Sequence, residues 1–167
     1  MNIKIREIDL EDADFILEIE NNKDIWKISH TKEEFSKKDI EIFIAKNILD
    51  GLSTEQKRWI ITINNERCGC IDIFDYNESN KRAGIGIVIH KDFQNQGIAS
   101  KALKQFSTYC QHKLKLHQVY CTILEDNTNS IKLFEKCGFQ KSGQRKEWTY
   151  YNNEYFNEVF YQLIFKK

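Results

Sequence analysis

The sequence predicts an α+β domain, a mixed and mostly antiparallel sheet flanked by helices, in the order β-α-α-β-β-β-α-β-α-β-β. Three observations carry this expectation. Short runs such as Ile3, Ile5 and Ile8 alternate apolar with charged residues, the period of a half-buried strand. Other runs, such as Ile98, Ala102, Phe106 and Cys110, repeat every fourth residue, the period of a helix. Three hairpin-like strands in succession, followed by strand, helix and strand, call for a mixed sheet with helices packed on it.

The elements follow in order. After the first strand, Asp9 can cap a helix whose apolar face is Ala13, Phe15, Ile16, Leu17 and Ile19. The segment 21–31 is polar, with Ile25, Trp26 and Ile28 embedded, and is expected as a loop or short turn. Residues 36–49 predict a second helix with Ile40, Phe43, Ile44, Asn47 and Ile48 on one side. Trp59 to Ile63 is β-branched and aromatic, and Asn64-Asn65-Glu66 predicts a hairpin turn, because asparagine tolerates positive φ. Strands are expected at 68–74 and 83–90, a helix after Gly97, and a strand at 119–124. A short helix over 127–137 ends at Gly138, where a left-handed C-cap glycine belongs. Phe139 starts a strand toward Tyr150, Asn152-Asn153 turns it, and Tyr155 to Phe165 returns.

Composition bounds the function. A chain of 167 residues, 41% hydrophobic and 30% charged, reads as one soluble globular domain over 1–167. A net charge of zero argues against a nucleic-acid binder. No apolar run approaches the roughly 20 residues of a membrane span, and the start alternates like a strand, without a signal-peptide core. The five cysteines, Cys68, Cys70, Cys110, Cys121 and Cys137, sit in apolar segments and predict reduced packing residues in a cytoplasmic protein. Cys68 and Cys70 form C-x-C without a matching histidine pair, and the four histidines stand apart, so no metal site is expected.

The segment Phe93-Gln94-Asn95-Gln96-Gly97-Ile98-Ala99-Ser100 stands where a strand gives way to a helix. A helix start leaves about four N–H groups unpaired and carries roughly half a positive charge. That is an anion site wherever bulky side chains stay clear. Gly97 and Ala99 keep the approach open, and Gln94 and Gln96 add neutral contacts, a chemistry suited to phosphate or pyrophosphate. The plainer reading is a turn glycine before a core helix. There is no Walker loop, and Gly84-Ile85-Gly86 lies inside a strand rather than in a dinucleotide turn.

Residues 94–99 fit a pattern of Gln or Arg, two free positions, Gly, one free position, then Gly or Ala. This resembles the pyrophosphate loop of the GNAT N-acetyltransferases. About 30 residues on, Asn127-Thr128-Asn129-Ser130-Ile131-Lys132-Leu133-Phe134-Glu135-Lys136-Cys137-Gly138-Phe139 is similar to that family's second signature. Residues 5–13 look like its first strand and helix. Gly143-Gln144-Arg145 and Tyr155-Phe156-Asn157 resemble its ribosomal-protein and polyamine acetyltransferase branch.

The resemblance implies a GNAT fold, with a sheet splayed at its centre, and direct attack of an amine on acetyl-CoA in a ternary complex. It implies pyrophosphate on the backbone of Gln94, Asn95, Gln96, Gly97, Ile98, Ala99 and Ser100. Pantetheine would run along Ile87, Val88 and Ile89, imitating an added strand, with one N–H polarising the thioester carbonyl. Those three residues also read as a plain buried strand. Asn127 is the expected pantetheine partner or a helix cap, Ser130 a cofactor contact, and Phe134 a packing residue beside the thioester. Phe134 stands where many relatives carry a proton-donating tyrosine. Asp72 and Asp75 are the candidate bases, with Asp72 read alternatively as a solvent-facing carboxylate, and Glu125 a weaker candidate. Tyr150 and Tyr151 are candidates for the acceptor channel. The acceptor is a small-molecule or peptide amine: a diamine or polyamine, an amino sugar or a protein N-terminus. Asp24, Glu33, Glu34 and Asp50 stand in the helix region that usually walls the acceptor site, whereas Ser29-His30-Thr31 stands where polyamine enzymes tend to be acidic, and the interleaved Lys37-Lys38-Asp39 favours a solvated face over a cation trap. A homodimer is compatible with the sequence. The alternative function is an acyl-CoA-binding sensor or scaffold without turnover.

Overall fold

The computed structural model describes residues 2–166. Seven strands form one sheet in the order β1-β2-β3-β4-β5-β7-β6. They are β1 (Ile3–Glu7), β2 (Gln56–Ile63), β3 (Glu66–Asn77), β4 (Arg82–Ile89), β5 (Gln118–Leu124), β6 (Gln140–Tyr151) and β7 (Glu154–Ile164). The helices are α1 (Ala13–Glu20), α2 (Trp26–Ser29), α3 (Lys37–Asp50), α4 (Ile98–His112) and α5 (Thr128–Lys136). All neighbouring strands are antiparallel except β4 and β5.

Local chemistry explains the turns. Asn64 and Asn65 have φ of 51° and 69°, and Asn152 and Asn153 have 49° and 63°. Two residues at positive φ make the hairpin turn whose twist matches the flanking strands. Gly138 closes α5 at φ 92°, as expected for a left-handed cap. The segment 21–31 is more ordered than its polar composition suggests. A 3-10 turn over Lys23–Ile25 leads into the four residues of α2. The Trp26 indole N–H donates to Glu20 O at 2.9 Å, so tertiary contact rather than propensity holds this helix.

Each face of the sheet carries its own core. Trp59, Ile61, Ile71, Ile73 and Ile85 pack with Ile98, Leu103 and Phe106 of α4 and Phe134 of α5. On the opposite face Ile60 and Cys70 meet Ile16 and Ile19 of α1 and Ile40 and Ile44 of α3. Side chains alternate across a strand, so a central strand covered on both sides is apolar throughout. That is why 59–62 is buried without interruption. All five cysteines are free thiols. Burial pushes Cys68 up to about 11 and Cys70 and Cys110 up to about 12, which makes them inert packing groups.

The sheet opens between its two parallel strands. β4 pairs with β5 only through Arg82↔Gln118, Ala83↔Val119 and Gly84↔Tyr120. Beyond Gly84, β4 continues to Ile89 while β5 stays paired with β7 as far as Leu124. Tyr120 stands at the point of divergence, edge-on to Phe74 and stacked on Phe160 at 5.0 Å. A Cβ on Gly84 would lie 2.2 Å from the Phe74 ring, so this close approach requires glycine.

Candidate active site

A cleft of about 480 Å³ fills the gap between the parted strands and the first turn of α4. One wall is Ile87, Val88 and Ile89 of β4. His90 N–H donates to Cys68 O at 2.9 Å, and β3 pairs Cys70 with Val88. The period of two then turns the backbone groups of Val88 toward β3. Those of Ile87 and Ile89 face the side that β5 has left. Ile89 O already accepts from Gln94 Nε2 at 3.0 Å, which ties the following loop to the strand end.

The floor is the head of α4. Gly97 is its N-cap at φ 77° and offers no side chain to the first-turn N–H groups. A Cβ there would meet nothing within 4 Å. Glycine is therefore required by the left-handed backbone and leaves the helix head bare. The N–H groups of Ile98, Ala99 and Ser100 lack intrahelical acceptors, as at any helix start. Asn95 shares the left-handed conformation at φ 60° and also lines the cleft. Gln96 does not: its Nε2 donates to Asp92 O at 3.2 Å and braces the loop from outside.

The opposite wall is α5. Asn127 caps this helix, its Oδ1 accepting from Ser130 N–H at 3.2 Å, and both residues line the cleft. Capping and ligand contact are therefore compatible, because the Asn127 amide N–H2 group donates to no described protein atom. Phe134 is absent from the lining. It is buried edge-to-face against Phe139, with ring centroids 5.0 Å apart. Phe93, Asn129, Lys132, Leu133 and Lys136 line the cleft without having been singled out in the sequence. The signal was available: Asn129, Lys132, Leu133 and Lys136 recur at three- and four-residue intervals on one helix face.

The two candidate bases lie elsewhere. Asp72 accepts from Arg58 Nε and Nη2 at 2.8 Å each and from Gln56 Nε2 at 2.7 Å. Arg58 is buried, and its Nη1 reaches Glu20 Oε1 at 2.5 Å. Burial opposes the charge on Arg58, but Asp72 and Glu20 beside it hold its pKa well above the ordinary value. Asp75 sits in a bulge at φ 48° and accepts from the Tyr120 hydroxyl at 2.6 Å. Burial, and then that hydrogen bond, push the Tyr120 hydroxyl well up. Glu125 accepts from Gln144 at 2.9 Å and Asn157 at 2.8 Å. None of these acids lines the cleft. Tyr150 pairs with Tyr155 at the exposed hairpin end, and Tyr151 likewise lies off the cleft.

A second cleft of about 390 Å³ opens on the α1 side and shares Val88, Ile89 and Gln94 with the first. Glu18, Asn21, Asn22, Asp24, His90 and Lys91 give it a polar lining with two carboxylates. His90 Nε2 lies 3.0 Å from Glu18 Oε1. Of the four acids expected near the acceptor, Asp24 reaches this cleft, whereas Glu33, Glu34 and Asp50 do not. Among the described residues no group of three or more His, Cys, Asp or Glu is placed to hold a metal ion. No described helix is long and apolar enough to cross a membrane.

Comparison with known proteins gives this geometry a family. Residues 2–140 match the acetyltransferase (GNAT) domain. The spermidine N(1)-acetyltransferase of Escherichia coli K12 is 22% identical over 158 residues, covering 95% of this chain and 83% of that protein. A crystal structure of the Vibrio cholerae spermidine N-acetyltransferase in complex with CoA and spermine superposes with a TM-score of 0.89. It is 22% identical and covers 97% of this chain and 95% of its own. The RimL ribosomal L7/L12 α-N-protein acetyltransferase in complex with CoA superposes with a TM-score of 0.86. It is 21% identical, with 98% and 94% covered.

Proposed function

This chain belongs to the acetyltransferase (GNAT) family, and from that premise we propose that it acetylates a primary amine of a small polycationic molecule, of the diamine or polyamine class. Acetyl-CoA is the cosubstrate. The observation that carries the acceptor assignment is the pair of clefts meeting at Val88 and Ile89. The donor cleft, on the α4 side, is lined by no acid. The acceptor cleft, on the α1 side, is lined by Glu18 and Asp24. A polyanionic donor and a cationic acceptor are thereby sorted to opposite faces before they meet.

Bound acetyl-CoA supplies the activated acetyl thioester. The first cleft has room for it at the bare Gly97 turn and offers backbone groups of Ile87 and Ile89 to its amides. Gly97 through Ser100 hold the pyrophosphate, Asn127 and Ser130 orient the arm, and an N–H on β4 supports the carbonyl as charge develops on its oxygen. On the acceptor side, Glu18 and Asp24 draw in the ammonium form. An alkyl ammonium has a pKa near 10.4 and must lose a proton before it attacks. With Asp72 and Asp75 committed to other partners, His90, held by Glu18 beside the shared wall, is the group assigned to take that proton. The departing thiolate, with a thiol pKa near 8.5, needs no side-chain acid. Phe134 can supply none.

We place the reaction in the cytoplasm, where the free cysteines stay reduced. Self-association is part of the same reading, since a relative from Vibrio cholerae forms a dodecamer. Thiol release from acetyl-CoA across a panel of polyamines, amino sugars and peptide N-termini tests the acceptor class. The reading expects turnover with polyamines above the rest. Preferential turnover of peptide N-termini or amino sugars overturns it.

A further inference from the structure

The donor cleft contains two cations that the fold does not use. Lys132 and Lys136 both line it from α5, and no hydrogen bond or ion pair joins either of them to any other described residue. They stand four residues apart on a helix, so their side chains project from one face. Like charges at that spacing destabilise a helix slightly, by about 0.2–0.5 kcal/mol. No acid lines the cleft to relieve them. Cys137, one residue beyond Lys136, lies 3.6 Å from Ser100 on the first turn of α4. The lysine end of α5 therefore flanks the anion-binding head of α4.

Acetyl-CoA brings two separate anionic groups. Its pyrophosphate is a linear diester, suited to the ring of backbone N–H groups at Gly97 through Ser100. Its 3′-phosphate is a monoester with a second pKa near 6, close to a full dianion at neutral pH. Such a group is matched by mobile point charges rather than by backbone dipoles alone. We propose that Lys132 and Lys136 form the subsite for the 3′-phosphate of CoA and make the enzyme selective for CoA over its 3′-dephospho form. The proposal rests on acetyl-CoA as donor. It accounts for two unpartnered cations on one wall of a cleft whose other contacts are neutral.

Calorimetric titration of the full-length protein with CoA and with 3′-dephospho-CoA tests it. The proteins are the wild type, Lys132→Ala, Lys136→Ala, the double alanine variant and the double arginine variant. Alanine favours a helix, so far-ultraviolet circular dichroism is expected to be unchanged. The wild type should bind CoA roughly ten- to a hundred-fold more tightly than 3′-dephospho-CoA, the span of charge-assisted contacts. The double alanine variant should lose that preference by weakening CoA alone, and the double arginine variant should retain it. Equal weakening of both ligands would move the lysines to the pyrophosphate and overturn the subsite. Equal binding of both ligands by the wild type would overturn it as well. Failure of the wild type to bind either ligand would instead remove the donor assignment beneath it.

Discussion

Arg58 and Asp72 face each other on adjacent strands and share two hydrogen bonds of 2.8 Å. The pair lies under α1 and α3, with Glu20 on the outer side of the guanidinium and Asn47 Oδ1 accepting from the Arg58 backbone N–H at 2.8 Å. Removing Asp72 strips the buried Arg58 of two charge-assisted hydrogen bonds and leaves it Glu20 as its one acid partner among the described residues, and breaking a buried pair costs about 3–5 kcal/mol. Asp72→Ala should therefore lower the unfolding free energy read from urea titration by an amount in that range. Asp72→Asn should slow turnover by the same factor at neutral and at high pH. A loss that recovers as pH rises would return Asp72 to the role of base.

His90→Gln should give the converse profile. The variant keeps a polar group near Glu18 but cannot accept a proton. Turnover should fall about a hundred-fold at neutral pH, the lower range of general-base contributions. It should recover as the amine itself deprotonates toward its pKa near 10.4. A uniform loss across pH would assign His90 to positioning instead.

The expectation about Asp72 failed to see its partner for a geometric reason. From the turn at Asn64-Asn65, regular pairing would set Ile63 against Glu66 and Thr62 against Arg67, and so Arg58 against Ile71. A bulge between Ile61 and Thr62 shifts the register by one residue and brings Arg58 opposite Asp72. Bulges depend on the surrounding sheet and leave little trace in a single sequence. The turns themselves were legible, because Asn64, Asn65, Asn152 and Asn153 have the side chain that tolerates positive φ. The turn at the head of α4 was legible for a related reason, since Gly97 occupies a backbone position that only glycine fits easily. The short α2 was not, being held by the Trp26 indole and by Lys27, which bridges 2.5 Å to Asp126. The second cleft was harder to see: Asp24, which lines it, stood out in the sequence, but Glu18 and His90 meet only through the packing of α1 against the end of β4.

Gly97→Glu and Gly97→Ala should separate strain from electrostatics. Both force a side chain into φ 77°, costing roughly 1–2 kcal/mol. A Cβ there meets open space, so the fold should survive. Alanine should leave CoA affinity within about three-fold, and glutamate, with a carboxylate at the helix head, should weaken it by more than ten-fold. Calorimetry with CoA reads both, and equal affinities would detach the loop from the donor.

Asp12 sets an acid limit on stability. It is fully buried, and burial works to raise its pKa, but hydrogen bonds from Arg6, from Asp9 N–H and from Arg67 bring it down to about 2. A carboxylate depressed in the folded state stabilises that state above its unfolded pKa of about 3.9. The contribution, on the order of 2 kcal/mol, is lost as pH falls from there through about 2. Unfolding free energy measured from pH 5 to pH 2 should fall steeply in the wild type, and less so in Asp12→Asn. Parallel curves would remove Asp12 from the acid transition.

Neutralising the acceptor cleft should act on one substrate only. Glu18→Gln and Asp24→Asn together should raise KM for a polyamine by about ten-fold, while KM for acetyl-CoA stays near the wild-type value, because neither residue lines the first cleft. Initial rates with each substrate varied in turn read this directly. An increase in KM for acetyl-CoA of the same size would contradict the separation of the two sites.

The central claim is that donor and acceptor meet through a wall shared at Val88 and Ile89, each entering from its own face of the sheet. Initial-rate kinetics over a grid of acetyl-CoA and spermidine concentrations test it most directly. Direct transfer in a ternary complex predicts intersecting double-reciprocal lines. No cysteine lines either cleft to carry the acetyl group between half-reactions. Parallel lines, accompanied by an acetylated protein isolated without the amine, would contradict the account.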